Sequence, residues 1–216
     1  AQTLSSTASK YPQALWNIYY GLNLLSSPLT QFRNVIGNGT ALGLAIGARA
    51  GGELVGPVFR AFGKESVAPG ETYELVRGMY EMVADSFRGG KDVKGAFGYA
   101  KDAYKTGESM FGVGKESEAL RTVNSAFEHE MGGGPLASVV QAMSSLASKN
   151  LRFMGGTDEF FKVLSFHGEL RALARRSASS KGMTGKKFAD EVDRLVADPT
   201  QEMLSLSTAY AKENTF

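Results

Sequence analysis

The sequence predicts an all-α fold, an elongated array of helical hairpins with glycine and proline breaks and no substantial sheet. Three observations predict it. Apolar residues recur at three- and four-residue steps through most of the chain, the period of a helix with one buried face. Clusters such as Ser26-Ser27-Pro28, Gly89-Gly90 and Gly132-Gly133-Gly134-Pro135 punctuate those stretches. No segment alternates apolar and polar residues with the period of two that marks a strand. With 216 residues and 43% hydrophobic content, the chain has enough apolar surface for a core.

The first element expected is a short helix over 10–26, rich in aromatics (Trp16, Tyr19, Tyr20) and leucine and stopped at Ser26-Ser27-Pro28. A long helix over 28–62 follows, with Pro28 in its first turn and Ser27 as its cap. Together they predict a helical hairpin that is almost uncharged: between Lys10 and Arg49 the only charge is Arg33. On the long arm, Gly39, Gly43, Gly47 and Gly51 recur every fourth residue and draw one bare stripe along one face. Each glycine inside a helix costs roughly 0.5–1 kcal/mol relative to alanine. The stripe is therefore read as an interface for close helix packing, against a protein neighbour or in a bilayer. Neither arm reaches the roughly 20 apolar residues of a standard membrane span.

Beyond a loop at 63–70, the residues Tyr73, Val76, Tyr80, Val83 and Phe87 predict a helix over 71–87, and Val93, Phe97, Ala100 and Tyr104 a second over 91–106. A loop at 107–114 leads to a helix over 116–131. From Pro135 an apolar face through Leu136, Val139, Val140, Met143, Leu146 and Ala147 predicts a helix to about Met154. Gly155-Gly156 is expected to break it. Thr157 then reads as the cap of a helix with Asp158 and Glu159 in its first turn and Arg171, Arg175 and Arg176 toward its end, matching the helix dipole. Its buried face would hold Phe160, Val163, Leu164, His167, Leu170 and Ala174. Helices over 184–197 and from 199 to about 212 complete the chain, which divides into 1–62, 63–134 and 135–216. The start at Ala1-Gln2 and the lack of a signal-peptide pattern suggest a piece of a longer protein.

A net charge of +2 gives little attraction to nucleic acid, but the charge is uneven. Residues 149–187 carry nine basic and three acidic side chains, whereas 188–216 carry six acidic and two basic. The two stretches are expected to pair or to face neighbouring subunits. Arg171, Arg175, Arg176, Lys181, Lys186 and Lys187 are candidates for sequence-independent contacts to DNA phosphates. The alternative is a solvated basic face.

No catalytic, cofactor or metal site is expected. There is no cysteine, no Walker loop and no dinucleotide fingerprint. Glu108-Ser109 with Phe111 is similar to the start of a lytic transglycosylase site, but no further part of that pattern follows. Glu128-His129-Glu130 holds metal-binding residue types whose adjacent positions point in different directions on a helix, and His167 fits an apolar core face.

Three stretches carry a family resemblance. Asn23-Leu24-Leu25-Ser26-Ser27-Pro28-Leu29-Thr30, continuing through Arg33-Asn34-Val35-Ile36-Gly37-Asn38, resembles a segment of large virion proteins of tailed phages. Thr157-Asp158-Glu159-Phe160-Phe161-Lys162 with Gly168-Glu169-Leu170 resembles a second segment of the same proteins, and Ala209 to Phe216 is similar to a third. The resemblance is to internal virion, or DNA-ejection, proteins of short-tailed phages and to large polyvalent phage proteins. A departure is His167-Gly168, where those proteins commonly carry an aromatic and a basic residue.

The resemblance implies a non-enzymatic structural part of the ejection apparatus, a homo-oligomeric channel carrying double-stranded DNA across the host envelope. Implied partners are other ejection, portal or tail proteins and the host inner membrane, and implied locations are the virion and then the periplasm and inner membrane. The rival reading is a protein-interaction module that forms no channel; a fragment of a peptidoglycan-cleaving enzyme is third. Passage through a narrow tail calls for quick refolding, which mostly local helical contacts would favour.

Overall fold

The structure, a computed structural model, describes residues 27–63, 66–88, 94–112 and 135–215. Six helices lie among them: α1 (Pro28–Ala61), α2 (Glu71–Arg88), α3 (Ala96–Thr106), α4 (Pro135–Ser180), α5 (Gly185–Ala197) and α6 (Gln201–Glu213). The fold is all-α, and the only extended pairing among these residues is an isolated bridge between Ser109 and Gly112. The expected helices over 10–26 and 116–131, and with them Glu128-His129-Glu130, lie outside the described residues.

Each boundary has a local cause. Ser27 is extended and its hydroxyl accepts from the Leu29 N–H at 3.2 Å, while Pro28 occupies the first turn of α1. The start of α2 is capped from another helix. Glu53 of α1 accepts from the Gly70 and Thr72 N–H groups, the latter at 3.2 Å, and Glu71 accepts from Ala68 N–H at 2.9 Å. Two backbone donors at the dipole's positive end thus meet a carboxylate. Gly107, at φ 75°, closes α3 with a hydrogen bond to the Ala103 carbonyl.

The expected break at Gly155-Gly156 does not occur. Residues 135–180 form one helix, about 69 Å long at 1.5 Å per residue, and Thr157 lies inside it rather than capping a new one. The glycine serves packing instead. A Cβ at Gly156 would stand 2.9 Å from the Ala100 carbonyl oxygen, so its absence lets α3 approach α4. The same device recurs where α2 crosses α4: a Cβ at Gly78 would meet the His167 carbonyl oxygen at 2.5 Å, and one at Gly168 the Leu75 carbonyl oxygen at 2.8 Å.

Helix α4 is the shared centre, packing against all five others. One core joins Phe166, Leu170, Leu173, Ala174 and Ala178 of α4 to Val192 and Leu195 of α5 and Met203 and Ala211 of α6. A second joins Val163, Leu164 and Ala172 to Leu75, Met79 and Met82 of α2 and Ala96 of α3, with Leu42 and Ile46 of α1 against it. Phe111, in the loop after α3, touches both. Of the face predicted around 157–176, Val163, Leu164, Leu170 and Ala174 are buried and Phe160 and His167 half-buried; the helix is covered on other sides too, including Asp158, Glu159, Glu169 and Arg171. The ties between helices reach far along the chain: the hydrogen bonds joining α1 and α2 to α4 through Arg49, Arg171 and Arg176 span 90 to 120 residues.

Candidate functional site

The second and third of the stretches that carry the phage resemblance meet the part of α1 that follows the first. Gly39, one residue after the first stretch, lies 3.9 Å by its would-be Cβ from the Phe161 ring of the second, and Asn38 beside it is buried. Arg49 reaches Glu169 at 2.6 Å, and its guanidinium stands 5.5 Å from the ring centroid of Tyr210, in the third. Burial pushes the Tyr210 phenol above its ordinary value, with Arg49 working against it. Segments far apart in sequence thus share one junction of α1, α4 and α6.

Their polar residues act as fasteners. Glu159, nearly fully buried, accepts from the Ser109 hydroxyl at 2.6 Å and the Met110 N–H at 2.8 Å, so it ties the loop after α3 to α4. Asp158 pairs with Lys162 one turn on. Glu108, beside Ser109, is exposed, and the carboxylate that holds this loop is Glu159 instead. Sequence reasoning missed that role, and also the Arg49 and Glu169 pair. A signal existed for the pair: Arg49 is the only charge between Arg33 and Glu53 on α1, and an isolated charge in an apolar stretch calls for a partner.

The candidate phosphate contacts separate into two groups. Arg171 is 4% exposed and puts its three nitrogens on Glu74 (2.7 Å), Glu81 (3.0 Å) and Asp193 (2.9 Å), so it is not presented to a nucleic acid. Arg176 makes a two-pronged contact with the fully buried Glu71 at 2.9 and 2.6 Å, and Arg175 donates to the Pro69 carbonyl at 2.8 Å. Lys181 pairs with Glu191 at 2.7 Å, and together with Arg194 it holds that carboxylate down to about 2. The basic stretch and the acidic one that follows do pair, through Arg171 with Asp193 and Lys181 with Glu191. Lys186 and Lys187 are exposed on α5 and make no ion pair among the described residues.

The glycine stripe runs from the packed side of α1 to its outer side. Among the described residues only Gly39 has a neighbour; a Cβ at Gly43, Gly47 or Gly51 would meet none of them within 4 Å. The close contacts of α1 within the chain fall instead at Gly52 and Gly56, against Val67. Around the outer glycines the surface is apolar: Leu44 is 70% and Leu54 84% exposed, with Leu29, Ile36, Val58 and Phe62 also exposed. No helix among the described residues is long and apolar enough to cross a membrane. His167, at the α2 crossing, is held below the ordinary imidazole value by burial, against the opposing pull of Asp85 and Glu81.

Compared with known proteins, the chain matches no protein-family model, no curated protein and no solved structure.

Proposed function

We propose that the chain is a non-catalytic helical component of a phage DNA-ejection apparatus, working as part of a homo-oligomeric channel that carries the genome across the host envelope. The observation that supports this reading is that the motif carboxylates Asp158, Glu159 and Glu169 each bind a partner within the chain, Glu169 at the junction of α1, α4 and α6. Motif residues used as fasteners fit a structural role. The exposed Lys186 and Lys187 remain the candidates for passing contacts with DNA phosphates, and other virion proteins and the host inner membrane are the further partners of this reading.

Particle composition tests it. Intact virions should contain the protein in many copies, and particles emptied of DNA should have lost it; full retention after emptying sinks the channel reading and leaves a non-channel interaction module of a large virion protein. The enzyme alternative has its own test: Glu108→Gln in the full-length protein should leave any peptidoglycan cleavage unchanged.

A further inference from the structure

Among the described residues, the outer face of α1 is an apolar surface that no other helix covers. Helix α1 has 34 residues and is about 51 Å long. Leu29, Ile36, Leu44, Leu54 and Val58 fall on the side that carries Gly43, Gly47 and Gly51, and all are exposed. The charges of the helix do not relieve this. Arg49 and Glu53 turn inward to Glu169 and to the start of α2, and Arg60 binds Ser66 and the Val67 carbonyl. Only Arg33 stands on the outer side, fourteen residues from Gly47 and so close to four helical turns away.

We propose that a second copy of this chain covers this face, its α1 running antiparallel to the first about a two-fold axis near Gly47. Charge selects the occupant and its direction. A polar partner would find one cation along the whole face. A parallel copy would set two Arg33 side chains and two like dipole ends together, whereas an antiparallel copy brings Arg33 beside the partner's residues near Ala61, at the negative end of the helix. The contour also suits a helix better than lipid, because bare backbone offers lipid little apolar area but lets a second backbone close in and gain dispersion contacts. A face of this length can remove on the order of 800 Å² from each copy, the amount a standard interface needs. A two-fold contact is self-complementary, with Gly43 facing Gly51 and Gly47 facing itself. The contact deepens the oligomer reading above, yet each can fail alone: emptied particles test the channel, and the following test the contact.

The chain has no cysteine, so one substitution supplies one thiol per copy. Under mild oxidation Gly47→Cys should form a covalent dimer, and a mixture of Gly43→Cys with Gly51→Cys should crosslink more than either alone. Sedimentation should show a dimer whose dissociation constant rises by about tenfold or more in Leu54→Glu, a substitution at an exposed site whose helical circular dichroism should be unchanged. A chain that sediments as a monomer overturns the proposal, as does Gly47→Cys crosslinking no faster than Ser205→Cys on exposed α6 surface. Self-crosslinking of Gly43→Cys as fast as the mixed pair overturns the antiparallel arrangement. Flotation with phosphatidylglycerol vesicles that Leu54→Glu abolishes, in a chain monomeric without them, assigns the face to a lipid surface and overturns the proposal as well.

Discussion

Arg171 ties three helices together through one side chain, joining its own α4 to Glu74 and Glu81 of α2 and to Asp193 of α5. Removing one partner of a buried ion pair costs about 3–5 kcal/mol, mainly because the other charge stays buried. Arg171→Ala should cost about 3 kcal/mol, at the low end of that range, because Arg77 and Arg175 still lie within 4.0 Å of Glu74; urea unfolding measures it. His167 supplies a pH dependence. Its folded-state value is lowered, so the unfolded chain takes up the proton first as pH falls below about 6.5, and stability declines from there toward pH 5. His167→Gln should flatten that window in urea midpoints taken at pH 7 and pH 5. Glu53 acts lower on the scale. Desolvation raises its value, but the Gly70 and Thr72 hydrogen bonds outweigh that and lower it, so the stability its cap contributes is lost only as pH falls through the depressed carboxylate value. At this scale the sequence revealed residue types but not partners: Arg171 looked like one of a row of phosphate ligands because the carboxylates that occupy it lie 22 to 97 positions away.

The helices themselves were legible where local chemistry sets the boundary. Ser27-Pro28 announced the start of α1, and Gly89-Gly90 the end of α2 at Arg88. Gly155-Gly156 misled, because a glycine pair that ends a helix and a glycine that admits a neighbouring backbone look the same without the neighbour. The two can be separated by experiment. Alanine at an exposed helical glycine stabilises by about 1 kcal/mol through helix propensity, but at Gly156 the added methyl meets the Ala100 carbonyl at 2.9 Å. Gly156→Ala should therefore destabilise, by about 1–3 kcal/mol if overpacking dominates; a gain in thermal stability would contradict the close approach. The glycine stripe was likewise legible as an unusual surface but not as to what it meets, since three of its four members meet nothing among the described residues.

For the molecule as a whole, the all-α class followed from periodicity, whereas the central place of α4 did not, since nothing local distinguishes a helix covered on several sides from one with a single buried face. Because both cores draw on α4, they should not melt separately. Leu75→Ala in one and Leu195→Ala in the other each remove a buried leucine, a change worth about 2–5 kcal/mol. Either should lower one shared transition, seen at the same urea concentration by circular dichroism and by fluorescence. Two separate transitions would mean that α4 does not couple them. The order in which the chain is made gives α4 a further consequence. A chain leaving the ribosome N-terminus first exposes Leu75, Met79 and Met82 before Val163, Leu164 and Ala172, the residues that cover them, have been synthesised. At about 5–20 residues per second that interval lasts on the order of ten seconds. During it the apolar sides of α1 and α2 are without α4, and a nascent chain in this state is a substrate for chaperones that hold exposed hydrophobic segments.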